Sequence, residues 1–174
     1  ALELNVFFLP ADPMVAGAEI ERQYLSVVRD VAEKVSVPVA VKISTHFTSP
    51  LNMIQGIRQC GAEGVVMFNR FYEPDINTDS VQVMEADIFS TSADLRGSIR
   101  WIAMASAAFP DLDIAASTGV HTGADAVKVL LAGASAFEVC SAIYHNGLGV
   151  IDRINGYLSG WMTEHRFTSI SEFC

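Results

Sequence analysis

The chain has 174 residues, 51% of them hydrophobic and only 18% charged, which fits one domain with a sizeable core. With 20 acidic and 11 basic residues the net charge is −9, which disfavours nucleic acid and anionic membrane surfaces as partners. No apolar run approaches the roughly 20 residues of a membrane span, no signal peptide is visible, and Cys60, Cys140 and Cys174 lack staple-like spacing, so a reduced, cytoplasmic protein is expected.

Residues 1–6 already read as a strand, which predicts that the sequence is a segment of a longer chain, with 1–174 forming part of one domain. A Pro/Gly loop, FFLPADPMVAG, covers 7–17. Residues 18–35 predict a helix whose stripe is Ile20, Tyr24, Val27, Val28 and Val31. VPVAVKIS, 37–44, is a strand. The next helix has Ser49 as its cap, Pro50 at its first position and Gly61 as its stop. AEGVVMFN, 62–69, is a strand. An NTD turn within 70–89 predicts a hairpin excursion. A helix capped by Ser92 or a neighbour follows, with Trp101 in its core stripe. DLDIAAST, 111–118, is a strand, with Asp111 and Asp113 at its far rim. Residues 122–133 predict a helix with a Thr122–Asp125 capping box. SAFEVCSA, 135–142, reads as the last strand, and a helix follows over 148–161.

Strands that alternate with helices predict a parallel sheet. Two architectures fit: a doubly wound open sheet, or five units of a TIM (β/α)8 barrel. No Gly-x-Gly-x-x-Gly follows any strand, which weighs against the first.

In such folds chemistry gathers where strands end. Those ends carry Asn5, Lys42 with Ser44, Asn69, Ser117 with Thr118, and Cys140 with Ser141. A lysine inside VAVKIS is costly unless something pairs with it. It either snorkels to solvent or faces an anion, such as a ring that gains negative charge. Asn5 and Asn69 each offer two donors and an acceptor to a heterocycle, or else satisfy loop backbone. Gly119 and the helix start beyond it suit a phosphate, bound by backbone N–H groups and hydroxyls. An ordinary capped helix is the plainer alternative. His46 and His121 fall just past strand ends, and no metal spacing is present. Cys60 reads as a buried small hydrophobe, and Cys140 as packing beside the ligand.

Several segments resemble one family: ELN at 3–5, VAVKIS at 39–44, GVVMFN at 64–69, STGVHTGADAVKVLLAGASAFEVCSAIYHNG at 117–147 and DRI at 152–154. Together they resemble the later strands of the soluble dihydroorotate dehydrogenases. The resemblance implies an FMN-binding barrel that oxidises dihydroorotate to orotate, with a small-molecule substrate and a possible homodimer. It implies that Lys42 approaches the flavin pyrimidine edge, that Asn5 contacts flavin or substrate, and that Asn69 binds substrate. Thr118, Gly119, Val120, Cys140 and Ser141 would hold the FMN phosphate. Ser90 and Thr91 would lie near the flavin. The base expected three residues after Asn5 is replaced by Phe8, so no catalytic base is assigned. Arg70 stands where the family prefers a small hydroxyl, and Val120 replaces a glycine. Two other readings remain open: a degenerate flavin-binding or scaffold domain, and another phosphate-binding barrel enzyme.

Overall fold

The computed structural model describes all of residues 1–174. The elements run β1 (Leu2–Asn5), α1 (Gly17–Ala32), β2 (Val39–Ile43), α2 (Pro50–Gln59) and β3 (Gly64–Met67). Then come β4 (Pro74–Asn77), β5 (Gln82–Glu85), α3 (Leu95–Ala108), β6 (Asp113–Ala116) and α4 (Gly123–Leu131). The chain ends with β7 (Ala136–Phe137), α5 (Ser141–Asn146) and α6 (Gly149–His165).

Five strands pair in parallel in the order β1-β2-β3-β6-β7, and β4 pairs antiparallel with β5 in a separate hairpin. The sheet order follows the chain without reversal. A doubly wound sheet reverses at a switch point and covers both faces with helices. Steps taken always in one direction by right-handed crossovers put every helix on the same face. The fold is therefore a wall of five strand–helix units of a (β/α)8 barrel, and the open-sheet alternative is set aside.

The two faces differ as that architecture requires. On β2, Val39, Val41 and Ile43 are buried, whereas Ala40 and Lys42 are half-buried. Val41 is in register with Leu4 and Val65, and Val65 with Ile114. This outer row packs with Ile54, Ile57 and Ile102 of the covering helices into one apolar cluster. The inner face carries Glu3, Asn5, Lys42 and small residues, with Ala40 opposite Gly64 and Ala115 opposite Ala136.

The sheet is also curled. β2 and β7 are three strand spacings apart, about 14 Å if flat. Lys42 on β2 nevertheless reaches Glu138, just past β7, at 2.5 Å, and lies 3.3 Å from Glu3 on the opposite edge strand. Side chains standing upright on a flat sheet would not close that gap. The inner face is concave.

Local differences from the expected elements have physical causes. The strand expected over 135–142 is only Ala136–Phe137. Its neighbour β6 ends at Ala116, so after the Glu138 N–H bonds to the Ala116 carbonyl there is no ladder to continue. Cys140 and Ser141 instead begin α5, an element the apolar pattern did not reveal. Ser49 sits at the start of α2 without making a side-chain capping bond. Thr91, with Asp94, caps the turn before α3, while the Ser92 hydroxyl goes to Asp125 at 2.7 Å. The hairpin lies where the NTD turn placed it, and its two strands are largely exposed.

Burial separates load from surface. Ile54→Ala removes a fully buried side chain of α2 and is expected to cost about 2–5 kcal/mol of unfolding free energy. Ile76→Ala on the hairpin, 65% exposed, should change it by less than about 0.5 kcal/mol. Urea unfolding of both variants checks the assignment of core and periphery.

Candidate functional site

Asn5 and Lys42 are register partners at the ends of β1 and β2. Asn69 lies two residues past β3, where its N–H bonds to the Ile43 carbonyl. Its side-chain amide donates to Asn5 Oδ1 at 2.7 Å. The two expected amides thus meet on one rim, bonded to each other, with Lys42 beside them. Asn69 also lines a polar hollow of about 630 Å³ with Thr118, His46 and Arg70.

Lys42 is not a free cation. Its ammonium donates to Glu138 Oε2 and pairs with Glu3. Partial burial opposes the Lys42 charge, but hydrogen bonding to Glu138 and the charges of Glu138 and Glu3 raise its pKa above the ordinary 10.5. Burial likewise opposes the Glu138 charge; bonds with Glu3, Lys42 and the Ser117 hydroxyl prevail and hold its carboxyl below 4.5. Glu3 is raised above 4.5, first by hydrogen bonding with Glu138 and then by burial. Glu138 therefore carries the negative charge that faces Lys42, and Glu3 keeps a proton to higher pH. Sequence reading missed both acids. The available signal was alternation: Glu3 shares a face with Asn5, and Glu138 follows the inward Ala136 by two residues.

The turn after β6 carries a second group of donors. Thr118 and Gly119 both have positive φ, 70° and 98°. The Thr118 hydroxyl donates to the Phe68 carbonyl, so it is committed to joining the ends of β6 and β3. Gly119 is required by packing: a Cβ there would lie 2.7 Å from the backbone nitrogen of Leu95. That requirement stands independently of any phosphate. Just ahead of α4 the Asp125 carboxylate accepts from the N–H groups of His121 and Thr122, whereas the Gly123 and Ala124 N–H groups that open the helix have no partner in the chain. Bonds from Ser92, Thr122, Lys128 and His121 outweigh burial and hold the Asp125 carboxyl below its ordinary value.

A further open pair lies a few residues earlier. Gly119 and Val120 are buried, and neither N–H has a partner in the chain. Buried N–H groups without an acceptor are rare, and a pair of them in one turn forms an anion cradle. The N–H of Cys140 is likewise unpartnered, but Cys140 is exposed and not packed. Ser90 links the two turns. It contacts His121 Nε2 at 3.0 Å and donates to Ser141 Oγ at 3.1 Å, so Ser90 and His121 join the expected Ser141. Thr91 is turned to Asp94 instead.

Phe8 faces elsewhere. Its N–H donates to the Tyr24 hydroxyl, and its ring meets the Tyr24 ring edge-on at 4.9 Å. Arg70 closes the base of the hairpin through the Ile88 and Asp87 carbonyls. Cys60 is buried, and no cluster of side chains has the makings of a metal site. No helix is long and apolar enough to cross a membrane.

A concave parallel wall with amides, a braced lysine and open backbone donors on one rim is a segment of a (β/α)8 barrel. The dihydroorotate dehydrogenase family model matches residues 13–162, and the chain belongs to that family. It is 26% identical over 173 residues to the catalytic subunit of dihydroorotate dehydrogenase B (NAD(+)) from Pyrococcus abyssi, covering 91% of this chain and 54% of that protein. It is 24% identical over 153 residues to the chloroplastic dihydropyrimidine dehydrogenase (NADP(+)) of Arabidopsis thaliana, covering 80% and 36%. A shorter stretch of 64 residues is 34% identical to the fumarate-type dihydroorotate dehydrogenase of Lachancea kluyveri, covering 37% and 20%. The chain spans about half the length of the first of these relatives.

The brace has a pH signature. Glu138, lowered on folding, stabilises fully above its ordinary 4.5, and that contribution disappears as pH falls through the folded value. Lys42, raised, stabilises below 10.5 and loses its contribution above. Glu3, also raised, contributes in the opposite sense to Glu138 and loses its part as pH rises. Glu138→Gln is therefore expected to cost about 1.5–3 kcal/mol near neutral pH, the value of a charged hydrogen bond. The deficit should shrink as both proteins are titrated toward about pH 3, read by urea unfolding across that range.

Proposed function

We propose that the full protein is an FMN-dependent oxidoreductase of the dihydroorotate dehydrogenase type, acting on a small molecule in the cytoplasm. The observation that carries the reading is the pair of buried, unpartnered N–H groups at Gly119 and Val120 on the same rim as Asn5, Lys42 and Asn69. This donor set fits a planar phosphorylated cofactor. The 119–120 cradle with Ser141 would hold the phosphate, and Asn5 and Lys42 would meet the ring. Bound there, the flavin would accept the electron pair of a substrate C–H bond.

The chain's own residues set the rest. Asn69 and Asn5 fix each other's orientation, so an amide edge is presented without rotamer search. Lys42 is held in place by Glu138, which neutralises much of its charge and makes it an oriented donor before it is a counter-ion. Phe8 accepts no proton, and its backbone and ring are spent on Tyr24. Oxidation of dihydroorotate by a route that needs a base at position 8 is then expected to be about 10²- to 10⁴-fold slower than with a base in place.

The competing reading is a binding or scaffold domain without turnover. Absorbance of the purified full-length protein in the flavin bands decides whether it is a flavoprotein, and anaerobic bleaching by dihydroorotate decides whether that compound is a substrate. Lys42→Ala should weaken FMN binding about tenfold, from loss of a charged hydrogen bond. Colourless protein that takes up no added FMN overturns the proposal.

A further inference from the structure

Beside the amide rim lies a second hollow of about 800 Å³, between the 7–17 loop, the start of α1 and the 44–48 and 71–74 segments. It shares His46, Phe71 and Glu73 with the polar hollow that contains Asn69. The two hollows are neighbours.

Its walls are aromatic. Phe7, 54% exposed, tilts against Phe71 with ring centroids 4.8 Å apart, and Tyr72 is 58% exposed. Phe8, Tyr24 and Phe47 close the inner side in edge-on contacts of 4.9 and 5.2 Å. The His46 ring lies nearly parallel to Phe71, 5.2 Å away and inclined by 21°. The His46 ring thus covers one face of Phe71.

The charge of this hollow has one sign. Asp12, Glu21 and Glu73 line it, and no lysine or arginine does. Glu21 and Glu73 form no ion pair and accept no hydrogen bond within the chain, although Asp12 accepts one from the Met14 N–H. Arg70, the arginine nearest in sequence, is held by the Asp87 and Ile88 carbonyls and by Asp94. A carboxylate entering here meets no lysine or arginine, and it meets three carboxylates. An organic cation meets both attractions together, the carboxylates and the negative faces of the rings.

We propose that this hollow is a binding site for an organic cation with an aromatic body, and that it selects against carboxylate ligands such as dihydroorotate. As a statement about which substrate reaches the amide rim it rests on the flavin reading above; as a binding site it stands without it. Phe8 then has a role. Where a proton acceptor is expected, it anchors Tyr24 and the aromatic wall.

Calorimetry on the full-length protein, with and without added FMN, tests this with three probes of similar size: benzyltrimethylammonium, benzyl alcohol and benzoate, with dihydroorotate alongside. The ammonium should bind most tightly, benzyl alcohol more weakly, and the two carboxylates not measurably. Phe71→Leu should weaken the ammonium about 3- to 30-fold, the range of a cation–π contact. Glu21→Gln combined with Glu73→Gln should weaken it by a similar factor and leave benzyl alcohol unchanged. These two acids are near the surface, so that variant stays informative if the aromatic change fails to fold. Glu33→Gln, outside the hollow, controls for the overall charge of −9 and should have no effect. Benzoate or dihydroorotate binding as tightly as the ammonium overturns the proposal. So does no binding of any probe, or an ammonium affinity untouched by the paired Gln changes. Ammonium binding by protein that takes up no FMN would keep this site and remove the flavin reading; flavin-loaded protein that prefers dihydroorotate would do the reverse.

Discussion

The ammonium of Lys42 is held between carboxylates that come from the two opposite edges of one sheet. Nothing else in the chain ties β1, β2 and the end of β7 together across the concave face. The residues beneath it are small, with Ala40, Gly64, Ala115 and Ala136 leaving space for three long polar side chains to converge. Such a brace is a modest contributor to stability, because desolvating three ionisable groups offsets much of their attraction. Its value is geometric. A concave wall needs its inner side chains to meet, and a lysine paired at 2.5 Å fixes where they do. The same pairing makes the inner face less positive than a lone lysine would. With Glu138 ionised and Glu3 raised, the trio is close to neutral while Glu3 holds its proton, and becomes negative only when Glu3 loses it.

That electrostatic setting divides the rim. Around the β6 turn the field is made by backbone dipoles, with the His121 and Thr122 N–H groups taken by Asp125 and those of Gly119 and Val120 left open. Around β1 to β3 it is made by amides and a partnered ammonium. A ligand with a phosphate at one end and a heterocycle at the other matches this division, whereas a compact dianion does not. Ser90, bonded to both Ser141 and His121, keeps the two turns of the cradle at a fixed separation.

Much of the fold was legible because its signals are local. Pro50 opens α2, the Thr122–Asp125 box opens α4, and the NTD turn reverses the hairpin, each through contacts within a few residues. The choice between an open sheet and a barrel was not local. It depends on the direction of each crossover, and no periodicity encodes that. The cost of Lys42 in an apolar strand was legible, but its partner was not, since Glu138 is 96 residues away. Residues 138–142 misled for a related reason. They have the apolar character of a strand, yet pairing requires a neighbour, and β6 has already turned away at Ser117. Phe8 was legible only as a missing base; that its ring and N–H both belong to Tyr24 needed the fold.

Position 8 shows how one substitution reassigns a whole corner of the rim. A small polar residue there would remove one of the two edge-on partners of the Tyr24 ring and open the wall that Tyr24 shares with Phe47. A phenylalanine closes that wall. Once the wall is aromatic, the acids around it change meaning. Beside a basic group, Glu21 and Glu73 would be ordinary members of surface ion pairs; beside exposed ring faces and no lysine or arginine, they concentrate positive charge where the rings already favour it. The corner around Phe8 therefore has a consistent polarity, opposite in sign to what an orotate-like carboxylate needs, and it shares His46, Phe71 and Glu73 with the hollow that Asn69 lines.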